Sequence, residues 1–132
     1  MRQPSNEQIE ALRKEYPEGA LVELIEMQDE QSPPPGTIGR VIAIDDLATL
    51  HVAWRTGSTL GIIPGVDRIR KLIMTEKVYQ DLLSIRSGGK SNMLDYRAVQ
   101  RLAYDAGYYE LVTYIEEHTK QYIHFIMYGR EG

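Results

Sequence analysis

The sequence predicts an α+β protein, in which a helix and a small antiparallel β-barrel come before a module of three to four helices. Up to about residue 73, short runs rich in Val, Ile and Leu alternate with turn residues, as in antiparallel strands. After Thr75 the apolar residues recur every three to four positions, which is the helical period. We therefore predict two units, residues 1–73 and 74–132.

The composition is that of an ordinary globular chain, with 42% hydrophobic and 26% charged residues among 132. A net charge of -4 argues against general nucleic-acid coating, because phosphate contacts need excess Lys and Arg. The absence of cysteine excludes disulfides and weakly favours a reducing compartment. No apolar run approaches the ~18 residues of a membrane span, and the first residues do not resemble a signal peptide. We expect a cytoplasmic protein with no membrane partner.

A short N-terminal helix is predicted over residues 5–15. Ser5 and Gln8 fit a capping box, and Ile9 begins a thin apolar edge. Tyr16-Pro17 ends the helix, because the residue before a proline avoids the α region. This helix is a candidate to cover one face of the sheet that follows.

Four strands are predicted from short apolar runs bounded by turn residues. They cover residues 20–27, 37–45, 50–55 and 59–63. In the third run, Leu50, Val52 and Trp54 alternate onto one face, so Trp54 is predicted to anchor the core. In the second run, the same alternation predicts that Ile42 and Ile44 share a face.

The helical module begins with Thr75, which can cap a first helix that ends in a pair of glycines. Asp95 can cap a second helix, and Gly107 can end it. Residues 108–128 fit either one long helix or two helices joined near His118-Thr119. The periodicity does not separate these two alternatives.

Two stretches of the chain, residues 36–46 (GTIGRVIAIDD) and 51–58 (HVAWRTGS), resemble the G-T-x-G-x-V and V-x-W-x-x-G-S pattern of small SH3-like barrels. Residues 16–71 are similar to an uncharacterised small-barrel family of bacteriophages and mobile elements, and residues 74–129 to a helical family of the same elements. The other segments that carry these resemblances are residues 16–19, 60–68, 74–79, 92–95 and 108–112. The resemblance implies an SH3-like barrel, a binding role and a bacterial host cell.

Motifs that would indicate catalysis or metal binding are weak. Gly89-Lys90-Ser91 is similar to the end of a P-loop, but Ser84 stands where the motif needs glycine, so a helix end is the better interpretation. The three histidines, His51, His118 and His124, lack metal-ligand spacing. We expect no catalytic residues, no cofactor and no metal site, and hence no enzyme.

Tyrosine is unusually abundant, with nine residues against one phenylalanine, and eight of the nine follow residue 78. They cannot all be core residues, because a buried hydroxyl needs a hydrogen-bond partner. Tyrosine is also enriched at protein interfaces. We predict a protein-binding surface that contains Tyr96, Tyr104, Tyr108 and Tyr109. The alternative is that these rings form half-buried edges of the core.

Two basic clusters are candidate anion sites. Arg97 and Arg101 lie one helical turn apart and, with Lys90, could bind a nucleotide-like phosphate. The second cluster, a candidate nucleic-acid site, consists of Arg68, Arg70 and Lys71. The alternative for both clusters is a solvated charged surface.

The leading functional hypothesis is a non-enzymatic protein of a phage or mobile element that binds a host protein. Inhibition of a bacterial defence system, as by an anti-CRISPR, would be its role. One alternative is a sponge that sequesters a nucleotide-like signalling ligand, in which a homodimer could complete the site. Another is a regulator associated with DNA or RNA, although nucleic acid is the less expected partner of an acidic chain.

Overall fold

The computed structural model of the protein describes residues 3–132. Met1 and Arg2, which fall in the predicted first unit, lie outside the described residues. The chain divides into two compact units, one ending at Leu72 and the other comprising Ile73–Gly132. The predicted division lay one residue further along the chain.

The first unit contains one helix and a four-stranded antiparallel sheet with strand order β3-β2-β1-β4. Its elements are α1 (Asn6–Glu15), β1 (Leu21–Glu26), β2 (Ile38–Ile44), β3 (Leu50–Trp54) and β4 (Arg68–Lys71). The second unit contains α2 (Glu76–Gly88), α3 (Tyr96–Asp105), α4 (Tyr109–Glu117) and α5 (Thr119–Tyr128). The predicted α+β class and a module of four helices are confirmed.

Helix α1 begins with the predicted capping box. The backbone amide of Gln8 donates to Ser5 Oγ at 3.2 Å, and the backbone amide of Ser5 donates to Gln8 Oε1 at 2.8 Å. Ile9 is buried in the core of the sheet, and the Arg13 guanidinium donates to the carbonyl of Ile44 at 3.0 Å. The helix therefore covers one face of the sheet, as expected.

Trp54 is the predicted anchor of the sheet core and is only 3% exposed. Its indole Nε1 donates to the carbonyl of Leu60 at 2.9 Å, so the polar end of the ring is satisfied. Gly39 pairs with Trp54 across the sheet, and a Cβ at Gly39 would lie 2.4 Å from Val52 Cγ1 and 2.7 Å from Trp54 Cε3. The indole therefore packs into space that only a glycine leaves open. The buried core consists of Ile9, Val22, Leu24, Val41, Ile44, Ala48, Leu50, Val52, Trp54 and Ile62.

A bulge in β2 corrects one prediction about facing residues. Val41 pairs with Val52, but the next pair joins Ala43 to His51, which leaves Ile42 as an extra residue. Beyond the bulge the alternation is displaced by one position, so Val41 and Ile44 both enter the core while Ile42 is exposed. The prediction that Ile42 and Ile44 share a face was wrong for this reason.

The predicted strand over residues 59–63 is also wrong. Ile62 alone pairs in this segment, exchanging two backbone hydrogen bonds with Leu50 at 2.8 and 2.9 Å. Neighbouring backbone groups bond to side chains instead: the Leu60 carbonyl accepts from Trp54, and the Ile63 amide donates to Asp67 Oδ2 at 2.9 Å. The sheet is consequently not closed, and the expected barrel does not form.

Strand β4 was not predicted as a strand. It pairs with β1 at one edge of the sheet, and Arg68 Nε lies 3.5 Å from Glu26 Oε2 on that neighbour. Charged residues on an edge strand discourage pairing with other chains. The basic cluster of Arg68, Arg70 and Lys71 can therefore be explained by its position on an edge strand.

Local capping sets the helix ends of the second unit. Thr75 Oγ1 accepts from the amide of Val78 at 3.2 Å, and Asp95 Oδ1 accepts from the amide of Ala98 at 3.2 Å, so both predicted caps are confirmed. His118, with φ of -132°, separates α4 from α5, so residues 108–128 contain two helices. Within residues 3–132, every helix falls short of the length and apolar content that a membrane span requires.

Candidate protein-binding surface

Tyr104 and Tyr109 form an exposed aromatic pair at the turn between α3 and α4. Gly107 has a φ of +81°, and the Tyr108 amide donates to the carbonyl of Ala103 at 2.8 Å, which closes a tight turn. The turn brings the two rings edge to face, with centroids 5.5 Å apart. Tyr104 is 62% and Tyr109 60% exposed, so neither ring is used by the core.

An open groove lies on each side of this pair. The tyrosine groove, of about 560 Å³, is lined by Ile73, Thr75, Val78, Tyr109, Glu110, Thr113, Tyr114, Glu117 and His118. The arginine groove, of about 500 Å³, is lined by Arg97, Gln100, Arg101, Tyr104, Asp105, Val112 and Glu116. Each tyrosine therefore forms part of one groove while contacting the other tyrosine.

In the arginine groove, a hydrogen-bonded glutamine connects the two helices, and two arginines form no ion pair with the described residues. Gln100 Nε2 donates to the carbonyl of Val112 at 3.2 Å and to Glu116 Oε2 at 3.0 Å, which ties α3 to α4. The Arg97 guanidinium lies 5.5 Å from the centroid of the neighbouring Tyr96 ring. Across residues 3–132, no carboxylate forms an ion pair with Arg97 or Arg101. Both guanidinium groups remain available to a ligand.

Lys90 does not join these two arginines. It lines a third groove, of about 380 Å³, together with Ser84, Ile85, Gly88, Leu102, Asp105, Ala106 and Tyr108. Gly89, with φ of +62°, ends α2 immediately before Lys90, as predicted for this helix end. The predicted three-cation site is therefore divided between two grooves.

Tyr96 and Tyr108, the other members of the predicted surface, are half-buried. Tyr96 contacts Arg97, while Lys77 Nζ lies 5.9 Å from the centroid of the Tyr108 ring. The exposed aromatic area of the predicted set is thus concentrated on Tyr104 and Tyr109.

Two further tyrosines are core residues with satisfied hydroxyl groups. The Tyr114 hydroxyl donates to Glu131 Oε2, and the Tyr122 hydroxyl donates to the carbonyl of Met93, each at 2.5 Å. Burial raises the pKa of both phenols, and the hydrogen bond to Glu131 adds to the rise in the pKa of Tyr114. For these two residues, the core interpretation of the tyrosines is correct.

The Glu131 carboxylate also holds the two ends of the helical unit together. Besides the Tyr114 hydroxyl, it accepts from the amides of Ile73 at 2.7 Å and Met74 at 3.1 Å. We call these contacts the Glu131 clamp. Because Ile73 and Tyr114 line the tyrosine groove, the clamp fixes part of that groove. No local pattern indicates contacts between residues so far apart in sequence.

The candidate nucleic-acid residues lie on β4, next to acidic neighbours. Arg68 is paired with Glu26, and Arg70 lies opposite Glu23 in the register of β1 and β4. Lys71, the third member, is exposed. The carboxylates of β1 reduce the positive potential that a phosphate backbone would meet along this edge.

Asp45 organises the turn between β2 and β3. Its Oδ1 accepts from the amides of Leu47 at 2.9 Å and Thr49 at 3.0 Å, and its Oδ2 lies 2.9 Å from His51 Nε2. The hydrogen bond with His51, followed by that from the Thr49 amide, lowers the pKa of the Asp45 carboxyl.

The other two histidines have structural contacts. His118 separates two helices, and His124 Nδ1 is hydrogen-bonded to the carbonyl of Arg130 at 2.6 Å. In the described part of the chain, no three His, Asp or Glu residues are grouped as metal ligands.

Fold and surface together describe a two-unit α+β protein with an aromatic pair between two grooves on its helical unit. Residues 5–72, more than half of the chain, match the family model described as a domain of unknown function (DUF4314), and the chain belongs to this family. Residues 74–130 match a second model, also described as a domain of unknown function (DUF5049). Comparisons with curated proteins and with solved structures find no match.

Proposed function

We propose that this chain is a non-enzymatic binding protein that engages another protein through Tyr104 and Tyr109. The observation that carries the proposal is the pair itself: two adjacent rings, each at least 60% exposed, between two open grooves. Large, rigid aromatic side chains often supply most of the binding energy of an interface. A partner that covers both rings would bury apolar area that the isolated chain leaves in water.

The shape of the grooves favours a protein over a small molecule. Sites for small ligands usually enclose most of the ligand surface. The tyrosine groove lies open between α2 and α4, and the arginine groove between α3 and α4, so a small ligand would remain largely in water. A protein surface can cover the grooves and the rings together.

The proposed setting is the cytoplasm of a bacterial host cell, with a host protein as partner. The chain would belong to a phage or mobile element and would inhibit a bacterial defence system, as an anti-CRISPR does. This part of the proposal is supported by the resemblance of residues 16–71 and 74–129 to families of such elements.

The test compares alanine substitutions in the tagged full chain. Tyr104→Ala and Tyr109→Ala remove the proposed contacts, whereas Tyr128→Ala removes a ring of similar exposure, 63%, at the end of α5. Proteins crosslinked to each variant in bacterial lysate are identified by mass spectrometry. We expect a discrete partner that the wild type and Tyr128→Ala retain and that the other two variants lose at least tenfold.

Circular dichroism of each variant separates loss of binding from loss of folding. Retention of every partner by a folded Tyr104→Ala/Tyr109→Ala double variant would contradict the assignment of the surface. A reaction catalysed by the purified chain, and abolished by substitution of a groove residue, would contradict the non-enzymatic role.

A further inference from the structure

We infer that the arginine groove receives a carboxylate-bearing segment of the partner protein, with its acidic side chains on Arg97 and Arg101 and an apolar side chain against Tyr104. This inference rests on the proposed function and specifies the chemistry of the partner.

The first support is the pair of free cations. Arg97 and Arg101 are one turn apart on α3, which places their Cβ atoms about 5–6 Å apart on the same face. Guanidinium groups form bidentate hydrogen bonds with carboxylates. No carboxylate of residues 3–132 forms an ion pair with either guanidinium group, whereas Arg68 pairs with Glu26. Two neighbouring acidic side chains of a partner could therefore each engage one arginine.

The second support is the distribution of charge along the groove. Asp105 also lines the groove, but it follows Tyr104 at the turn end of α3, two turns beyond Arg97. The other acidic residue, Glu116, already accepts a hydrogen bond from Gln100. Along α3 the two cations therefore come before Tyr104 and Asp105 comes after it, while the Glu116 carboxylate lies on α4 beside Gln100. A matching segment carries its carboxylates at one end and an apolar residue at the other.

The exposed face of Tyr104 supplies the apolar contact. It lies between Arg101 and the turn, where Asp105 disfavours a further acidic group. A phosphate ligand that needs three cations is less well matched, because Lys90 lies in a different groove. The arrangement thus selects a short segment with an acidic end and an apolar end.

The test uses two synthetic peptides and the isotope-labelled full chain. The probe is acetyl-Glu-Glu-Ala-Leu-Trp-amide, and its neutral match replaces both Glu residues with Gln. Binding is followed by the NMR signals of the Arg97 and Arg101 Nε–H groups and of the Tyr104 amide. We expect the acidic peptide to shift these signals and to bind at least tenfold more tightly than the neutral peptide.

Three variants sharpen the test. Arg97→Gln with Arg101→Gln should weaken binding of the acidic peptide about tenfold, because both ion pairs are lost. Asp105→Asn should strengthen it about twofold, because a repelling charge is removed. Arg86→Gln, a change of an exposed arginine in α2, should leave binding unchanged. Retained dispersion of the amide spectrum shows that each variant is folded.

Equal affinity for the two peptides, or shifts confined to other residues, would overturn the inference. Tighter binding of ATP than of the acidic peptide would overturn it in favour of a phosphate ligand. The proposed function can survive this failure: a cellular partner lost with Tyr104→Ala but kept by Arg97→Gln/Arg101→Gln would support the surface and reject the acidic segment.

Discussion

Each of the two units is stabilised internally by a different kind of contact. In the first unit, an apolar core is packed so closely that Trp54 occupies the space above Gly39. In the second unit, tyrosine hydroxyls and the Glu131 clamp connect segments distant in sequence. The first unit should therefore be most sensitive to changes of volume, and the second to the loss of particular hydrogen bonds.

The largest expected effect comes from adding one methyl group to the first unit. Gly39→Ala should destabilise it by about 3 kcal/mol, the upper end for overpacking, because the new Cβ would overlap Val52 and Trp54. Trp54 is the sole tryptophan of the chain, so its fluorescence during urea unfolding reports on this unit alone.

The same substitution in the second unit is the matched control. A Cβ at Gly88, the last residue of α2, would meet nothing within 4 Å. Gly88→Ala should therefore be neutral or stabilise the helix by up to about 1 kcal/mol. Similar destabilisation by both substitutions would contradict the contrast between the units.

A smaller effect is expected from weakening the Glu131 clamp. Glu131→Gln removes the negative charge that three donors share and should cost about 1.5 kcal/mol, the lower end for hydrogen bonds to a charged group. The loss is measured as a lower urea midpoint of the helical circular dichroism signal, with the Trp54 transition unchanged.

Two variants show whether the clamp accounts for that loss. Tyr114→Phe removes one of the three bonds and should cost less than Glu131→Gln. Glu117→Gln neutralises an exposed carboxylate in the same unit and should have almost no effect. If Glu117→Gln lowered the urea midpoint as much as Glu131→Gln, the loss of stability would be due to the change in net charge and not to the clamp.

The smallest expected effects distinguish the units by pH. The folded-state pKa of Asp45 is lowered, so the stability from its ionised form is present above its ordinary pKa and lost as the pH falls through the lowered value. The pKa values of Tyr114 and Tyr122 are raised, so their contribution is present below the ordinary tyrosine pKa of about 10 and lost as the pH rises beyond it. Acid should weaken the first unit through Asp45, and alkali should weaken the second through Tyr114 and Tyr122.

Urea midpoints across pH, read from Trp54 fluorescence and from helical circular dichroism, check both directions. His51→Gln should raise the pKa of Asp45 towards its ordinary value, as measured by carboxyl NMR titration. Tyr122→Phe should reduce the alkaline loss. An alkaline loss that is unchanged in both Tyr114→Phe and Tyr122→Phe would contradict the assignment.

Features that depend on neighbouring residues could be predicted from the sequence. The caps at Ser5, Thr75 and Asp95 act within three residues, so their side-chain chemistry is sufficient. The break at His118 was less clear, because Ile115 and Tyr122 on either side of it keep a helical spacing and no proline or glycine marks it.

Features decided by distant contacts could not be predicted. Arg68–Lys71 lacks the apolar alternation of a strand and becomes one because the edge of β1 is available to pair with it. The run over 59–63 has that alternation, but its backbone groups bond to Trp54 and Asp67. Pattern predicts which segments could pair, whereas pairing itself depends on competing partners.

The candidate surface shows the same limit. The helical spacing of Arg97 and Arg101 predicts that they are neighbours, and they line one groove. The contact of Tyr104 with Tyr109 depends on the backbone conformation of the turn at Gly107, and the sequence pattern does not predict that conformation. The assignment of these residues to binding remains a prediction that the substitutions above test.

The Glu131 clamp also bears on how the helical unit can be combined with other chains. Since Glu131 bonds directly to the amides of Ile73 and Met74, the two ends of the unit meet at one place. A module with adjacent ends can be inserted into a surface loop of another protein, or circularly permuted through a short linker, without separating the insertion points of the host.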